Sequence, residues 1–149
     1  MFSKDFFSQV QKQAIQDAIA NAELNTSGEI RLHVDDKCSG EPVSKAIETF
    51  EKLKMHETEL RNGVLIYVAI KDKKLAIIGD KGIDAVVAED FWDDIKNKLI
   101  ESFKVEKFTE GLVQAIEQSG IQLKSHFPFQ SDDTNELSND ISFGADQSK

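Results

Sequence analysis

The feature that most constrains the fold is a pair of apolar runs separated by a short charged turn. Residues 64–70 and 75–79 are almost entirely apolar, and Lys71-Asp72-Lys73 lies between them. Runs of this length joined by so few polar residues are typical of two buried strands in a hairpin. Polar residues 61–62 precede the first run and residues 80–82 follow the second. Because hairpin strands are antiparallel, both polar groups are predicted at one edge of the sheet.

Residues 29–34 predict a further strand, because apolar and polar side chains alternate strictly along them. One face carries Ile30, Leu32 and Val34, and the other carries Glu29, Arg31 and His33. This alternation indicates a half-exposed strand near an edge of the sheet.

A helix between residues 29–34 and 64–70 makes these two strands a βαβ unit. The helix is predicted to begin near Pro42, with apolar residues of its buried stripe at 46, 47, 50 and 53. The right-handed crossover rule makes the two strands parallel, and the hairpin makes the third antiparallel to the second. Helical stripes over residues 7–22, 91–103 and 112–123, with a short turn after Gly82, bring the helices to five. We therefore expect an α/β fold, a three-layer α/β/α sandwich in which helices cover both faces of a small mixed sheet.

The 149 residues fit one domain with one core. Residues 1–129 are predicted to form this domain, and residues 130–149 an acidic, flexible C-terminal tail. The tail has one apolar patch, Ile141-Ser142-Phe143, which either docks as an extra strand or binds a partner protein.

Charge and composition limit the classes of partner. The chain has 27 acidic and 18 basic residues, a formal net charge of -9, which argues against nucleic acid or an anionic membrane as partner and favours cations. No apolar run approaches the roughly 20 residues that span a bilayer, so no membrane insertion is expected. A single cysteine and a start without the features of a secretory signal predict a cytoplasmic protein.

The predicted topology places polar side chains from three strand ends together. Glu29, Asp80 and Asp84 are the candidate metal ligands, since calcium and magnesium prefer oxygen ligands such as carboxylates. The pocket around them would be formed by Thr26, Ser27, Arg61, Asn62 and Lys81. The structural alternative is that Asp80 caps the helical turn after Gly82 while Glu29 forms a surface ion pair with Arg61 or Arg31.

The remaining polar residues and Trp92 do not indicate a functional site. The three histidines lack zinc-ligand spacing, and His33 is expected to be exposed. Cys38 is expected to be an unreactive loop thiol, because no phosphate-binding arginine follows it. The pair Asp35-Asp36 is expected to be solvated at the opposite end of the sheet from Asp80. Trp92 is expected to pack in the core.

Five segments taken in order closely resemble the TPM domain family in its short bacterial form. They are Thr26-Ser27-Gly28-Glu29-Ile30-Arg31, residues 61–67, residues 79–83, Phe91-Trp92 and residues 108–112. The resemblance covers roughly residues 7–128, and a tail with Ile141-Ser142-Phe143-Gly144 is similar to the one that follows this form. It implies an α/β sandwich, a divalent-cation pocket in some members and a proposed acid phosphatase activity in a thylakoid relative. Other relatives serve membrane protein complexes, whereas neither a signal sequence nor a C-terminal anchor is expected for this chain.

Two functions follow as hypotheses. In the first, the protein is a binding or accessory module that holds calcium or magnesium in the pocket and engages another protein through its surface or tail. In the alternative, it is a metal-assisted acid phosphatase of low activity, in which the cation polarises phosphoryl oxygen and Arg61 or Lys81 balances charge. The first is favoured, because no residue stands out as the base that would activate water.

Overall fold

The computed structural model describes residues 6–128 and 141–144. Its helices are α1 (Gln9–Glu23), α2 (Pro42–Lys52), α3 (Lys81–Asp84), α4 (Phe91–Lys104) and α5 (Phe108–His126). Its strands are β1 (Glu29–Asp35), β2 (Gly63–Ala69), β3 (Lys74–Gly79) and β4 (Ser142–Phe143). A 3-10 turn, Met55–Glu57, lies between α2 and β2. The α/β class and the five helices predicted from the sequence are therefore confirmed for this part of the chain.

The strands form one mixed sheet in the order β3-β2-β1-β4. β1 and β2 are parallel, with Glu29 opposite Gly63 and Asp35 opposite Ala69. β2 and β3 are antiparallel, and β4 lies parallel to β1. The βαβ unit and the hairpin are thus as predicted. Their directions bring the start of β1, the start of β2 and the end of β3 to one edge of the sheet.

Helices cover both faces of the sheet, as the sandwich prediction requires. The alternation of β1 is confirmed: Ile30, Leu32 and Val34 lie on one face, in the larger core together with residues of α1, α4 and α5. The smaller core lies on the other face, where Leu65 and Tyr67 of β2 pack with Ala46 and Phe50 of α2. Each face of the sheet is therefore apolar in its centre, and α2 and Met55 of the 3-10 turn supply the helical residues of the smaller core.

Local sequence signals explain where several helices begin. Ser8 and Gln11 form a capping box at the start of α1, with bonds of 2.8 and 3.1 Å. Pro42 occupies the first turn of α2, where its fixed φ and missing N–H are compatible with a helix. Asp80 caps α3 by accepting a 2.8 Å hydrogen bond from the backbone N–H of Lys81.

The prediction that β1 is half-exposed is wrong, whereas its predicted position near an edge of the sheet is correct, since only the short β4 lies beyond it. Among its residues only Arg31 is more than marginally accessible, and β1 is hydrogen-bonded to β2 on one side and to β4 on the other. His33, Asp35 and Asp36 are correspondingly buried, with exposed fractions of 8%, 2% and 5%, so the expectation of solvated side chains at these positions is also wrong. The alternation within β1 could not reveal that the tail strand β4 would pair with this strand.

The predicted boundary between domain and tail falls largely outside the described residues, which omit 129–140 and 145–149. Within them, Ser142 and Phe143 pair with His33 and Val34, and Gly144 N donates a 2.9 Å bond to Val34 O. Of the two alternatives for the apolar patch, docking as an extra strand is therefore observed. No helix in residues 6–128 or 141–144 has the length and apolar character to cross a membrane.

Candidate functional site

A cavity of about 580 Å³ opens beside the edge strand β3. Its walls come from both faces of the sheet: α2 and the 3-10 turn contribute from one side and α4 from the other. The lining residues are Ile47, Phe50, Glu51, His56, Arg61, Ile77, Ile78, Gly79, Asp80, Asp84 and Trp92. Apolar walls with a few polar groups at one end are typical of a binding cleft.

Asp80 and Arg61 form a bidentate ion pair in this cavity. Arg61 Nε donates to Asp80 Oδ2 at 2.6 Å, and Arg61 Nη2 donates to Asp80 Oδ1 at 2.9 Å. The hydrogen bond to Asp80 raises the pKa of Arg61, against a smaller opposing effect of desolvation. Asp80 is buried whereas the Arg61 side chain is about one-third exposed. The Asp80 carboxylate therefore both pairs with Arg61 and caps α3.

The backbone around Arg61 is held in an uncommon conformation. Arg61 has φ of 52°, in the left-handed region, and its carbonyl oxygen accepts a 2.8 Å bond from Gly82 N. A Cβ at position 82 would collide with the backbone oxygens of residues 60 and 61, so glycine is required there. Such backbone strain costs of order 1–3 kcal/mol and persists where the surrounding contacts fix it.

Asp84 and Trp92 also line the cavity and are hydrogen-bonded to each other. Trp92 Nε1 donates to Asp84 Oδ1 at 3.0 Å, and Asp84 is otherwise exposed. Trp92 packs against the larger core while also lining the cavity, so the prediction of core packing is correct but incomplete. Gly79 permits this packing, because a Cβ there would come within 2.5 Å of the indole.

The other predicted pocket residues lie at the same edge of the sheet but do not line this cavity. Asn62 Nδ2 donates to Ser27 Oγ at 3.5 Å, and Thr26 Oγ1 accepts from Gly28 N at 3.0 Å while donating to Phe127 O. Thr26 and Ser27 therefore attach the end of α5 to the start of β1, which is a structural role. Lys81 is exposed in the first turn of α3.

Glu29 is buried, with 1% of its surface exposed, and its backbone N–H is directed to Asn62 O at 3.4 Å. The sheet register places it opposite Gly63, whose carbonyl accepts a 2.8 Å bond from Asp80 N. The convergence of Glu29 and Asp80 at one sheet edge is therefore as predicted, with β2 between them. Glu29 itself lies outside the cavity that Asp80 and Asp84 share.

The carboxylates of the cavity fit a divalent cation only as a weak site. Glu51, Asp80 and Asp84 are the carboxylates that line it, and both Asp80 oxygens already accept hydrogen bonds. Within residues 6–128 and 141–144 there is no group of three or more histidine, cysteine, aspartate or glutamate side chains arranged to hold a metal ion. Any cation here would therefore need backbone oxygens or water for most of its coordination.

A second polar cluster, at the other end of β1, consists of His33, Asp35, Tyr67 and Ser142. Asp35 Oδ2 accepts a 2.7 Å bond from the Tyr67 hydroxyl, and Asp35 Oδ1 lies 2.8 Å from His33 Nε2. The other ring nitrogen, His33 Nδ1, lies 2.9 Å from Ser142 Oγ. The His33 and Tyr67 rings stack at 5.9 Å with an angle of 9° between their planes. The cluster thus joins β1, β2 and β4.

Burial and hydrogen bonding act in opposite directions on Asp35. Burial alone would raise its pKa, but hydrogen bonds from His33 and Tyr67, with the charge attraction of His33 and Lys45, outweigh burial and lower it. Burial raises the pKa of Tyr67, and its hydrogen bond to Asp35 raises it further. Asp35 is therefore held as a carboxylate and Tyr67 as a phenol, which suits a structural network.

Sequence reasoning missed this cluster and part of the cavity. His33 and Asp35 are two residues apart on one face of a strand, and Tyr67 is opposite His33 once the parallel register is known. The parallel register of β1 and β2 was therefore the signal that could have revealed this cluster. No sequence signal placed His56 or Glu51 beside Asp84, since α2 and the 3-10 turn reach the cavity only through tertiary packing.

Comparison with known proteins identifies the family. A family model described as the TPM domain matches residues 2–121. The solution structure of BA42 protein from Bizionia argentinensis is 47% identical, with a TM-score of 0.87 over 95% of this chain and 97% of that one.

Two more distant structures share the fold. An N-terminal domain from Corynebacterium glutamicum is 15% identical with a TM-score of 0.64, over 80% of this chain and 76% of that chain. One from P. gingivalis is 12% identical with a TM-score of 0.66, over 83% of this chain and 80% of that one. No curated protein matches the sequence. The extent of the family match and the 47% identity show that the chain belongs to the TPM domain family.

Proposed function

We propose that this TPM domain is a binding module whose cavity beside β3 takes calcium or magnesium weakly. The observation that supports the proposal is that Asp80 and Asp84 line one open cavity in a chain of net charge -9. Few carboxylates and partial solvent exposure are properties of low-affinity cation sites.

The residues differ in what they would contribute. Asp84 is exposed and would provide the more accessible oxygen ligand. Asp80 would share its carboxylate with Arg61, which keeps it oriented toward the cavity. Glu29, the third predicted ligand, would act through its charge from beyond β2, since it does not line the cavity. A cytoplasmic location belongs to the same proposal.

Titration with calcium and with magnesium tests this function. Amide shifts are expected for residues 79–85 and a change in fluorescence for Trp92, the single tryptophan of the chain. The Asp84→Asn variant should weaken both responses, whereas Asp93→Asn on the exposed side of α4 should leave them unchanged. Shifts confined to the region of Asp35, or an equal response from the Asp84→Asn variant, would contradict the proposal.

A phosphatase is the second candidate, because Arg61 and His56 line the same cavity as Asp80 and Asp84. In such a reaction a bound cation would supply Lewis acidity, while Arg61 would orient a phosphomonoester through its guanidinium. We expect any hydrolysis to be slow, since Arg61 is paired with Asp80.

Hydrolysis of a generic phosphomonoester, measured with calcium, with magnesium and with chelator, separates the candidates. Robust wild-type turnover lost in Asp84→Asn and in Asp80→Ala would favour the enzyme. Loss in Cys38→Ser alone would point to the buried thiol, which is 2% exposed and lies outside the cavity. Absence of turnover with retained cation binding is the result expected for the binding module.

A further inference from the structure

The outer edge of β3 has no strand paired to it in the part of the chain that the structure describes. β3 ends the sheet order β3-β2-β1-β4, and β2 is its one neighbour there. At the other end of the sheet the last strand is the two-residue β4, which pairs with His33 and Val34 of β1. An open strand edge carries unpaired backbone N–H and C=O groups and is a template for a further strand.

The hydrogen bonds of β3 show which of its backbone groups face outward. Asp80 N bonds to Gly63 O at 2.8 Å, so the backbone groups of position 80 are directed to β2. Direction alternates along a strand, and Ile78 and Ala76 therefore also bond inward. Leu75, Ile77 and Gly79 direct their N–H and C=O groups away from β2; Ile77 and Gly79 line the cavity, whereas Leu75 is 6% exposed and lies outside it.

The edge is recessed rather than flush with the surface. Ile47, Phe50 and Glu51 from α2 and Trp92 from α4 line the same cavity as residues 77–79 of β3. Helical side chains thus stand on both sides of the strand. A second copy of the domain would bring its own flanking helices to the edge, whereas a single extended segment fits between them. This geometry favours β-strand addition by a peptide.

Charge indicates what kind of segment would bind. Glu51 and Asp84 are exposed at the cavity, while Asp80 and Arg61 neutralise each other. The cavity is therefore acidic overall, as is the whole chain at -9. The chain's own residues 130–149, with five acidic residues and one lysine, carry like charge and are poorly matched to it.

We propose that β3 accepts an extended segment of a partner protein as an additional strand, with a Lys or Arg side chain of that segment in the cavity. The basic group would lie near Asp84 and Glu51, and its aliphatic stem would pack on Trp92 and Phe50. The proposal rests on the binding role given to this cavity above, but it uses the backbone edge of β3 as well as the carboxylates.

Short synthetic peptides that alternate valine and threonine, with one lysine placed at each position in turn, are the probes. Binding to the full chain is followed by Trp92 fluorescence and by amide hydrogen exchange. The expected result is a fluorescence change with new protection at the outward amides of Leu75, Ile77 and Gly79. The inward amides of Ala76 and Ile78 serve as the internal reference. If no peptide of the set produces both effects at millimolar concentration, the proposal is overturned.

Matched variants separate the two contributions. N-methylation of alternate peptide bonds on the pairing edge should abolish binding, because it removes the backbone donors. Asp84→Asn and Glu51→Gln should each weaken binding about two- to fivefold, as expected for exposed ion pairs. The Asp93→Asn control should bind as wild type does. Unchanged affinity of the N-methylated peptide, or of both cavity variants, would overturn the proposal.

Cation titration keeps this inference separate from the proposed function. If calcium produces no response but the peptide still protects β3, the cation-site proposal is contradicted and strand addition is supported. If calcium still shifts the amide signals but no peptide protects β3, strand addition is contradicted and the cation-site proposal is supported. Each proposal therefore fails on its own readout.

Discussion

Replacing Tyr67 by phenylalanine removes one hydroxyl from the buried cluster around Asp35. Tyr67 is fully buried, Asp35 is 2% exposed, and their oxygens are 2.7 Å apart. Hydrogen bonds to charged groups contribute about 1.5–3 kcal/mol, and little solvent can replace this one. We expect Tyr67→Phe to lower the free energy of unfolding by about 2 kcal/mol. For a domain of this size that corresponds to a decrease in Tm of about 4–8 °C.

Urea unfolding at neutral pH measures this loss. A double-mutant cycle with Asp35→Asn isolates the coupling between the two side chains, which should exceed roughly 1 kcal/mol. Ser44→Ala, at an exposed position of α2, controls for loss of a hydroxyl and should change stability by less than about 0.5 kcal/mol. A Tyr67→Phe cost as small as this control would refute the view that the hydroxyl stabilises a buried carboxylate.

The same cluster predicts how this cost depends on pH. The pKa of Asp35 is lowered by folding, so its contribution is present above the unfolded pKa of about 3.9 and is lost as pH falls through the folded pKa. Below that value the Tyr67 hydroxyl would face a neutral acid, for which a hydrogen bond contributes only about 0.5–1.5 kcal/mol. The difference between wild type and Tyr67→Phe should therefore shrink in acid. A cost that increases as the pH falls through the acid range would contradict the charged assignment of Asp35.

Three further perturbations have defined outcomes. Because folding raises the pKa of Tyr67, stability should decline as pH rises above the unfolded tyrosine pKa of about 10, and the slope should be smaller in Tyr67→Phe. Gly79→Ala should cost about 1–3 kcal/mol and shift Trp92 fluorescence, since its Cβ would approach the indole to 2.5 Å; unaltered fluorescence would contradict this packing. Removing residues 141–149 should lower stability by about 1.5–3 kcal/mol, the value for one buried Ile or Phe side chain, while unfolding stays cooperative. An unchanged Tm would show that Ile141 and the β4 pairing add nothing.

The strand directions, the layer order and the pairing of the first three strands could be predicted, because they follow from local sequence patterns. The apolar runs, the charged turn at residues 71–73 and Pro42 each act over a few neighbouring residues. The burial of His33 and Asp35 could not be predicted in this way. Their polarity suggested solvent, but they are matched by Tyr67 from β2 and Ser142 from the tail, which satisfy the buried groups.

The candidate site could be predicted in part, because strand directions follow from local sequence patterns. Strand directions were enough to bring Asp80, Arg61 and Glu29 to one edge of the sheet. Whether side chains share a cavity depends on the helices that pack over the strands, and α2 and α4 enclose Asp80 and Asp84 but not Glu29. The alternative reading of Asp80 as a helix cap was also correct, since one of its oxygens accepts from Lys81 N.

The late position of β4 along the chain has a consequence for biosynthesis. Every other element precedes Ser142, so a nascent chain emerging from the ribosome has β1 with its outer edge uncovered until the last strand appears. Uncovered edges invite pairing with neighbouring chains. Glu23 is made before β1, and its Oε2 accepts a 2.7 Å hydrogen bond from Ile30 N on that edge. Because this carboxylate already occupies the Ile30 N–H in the folded sheet, that donor on the outer edge of β1 is not free to pair with a neighbouring chain.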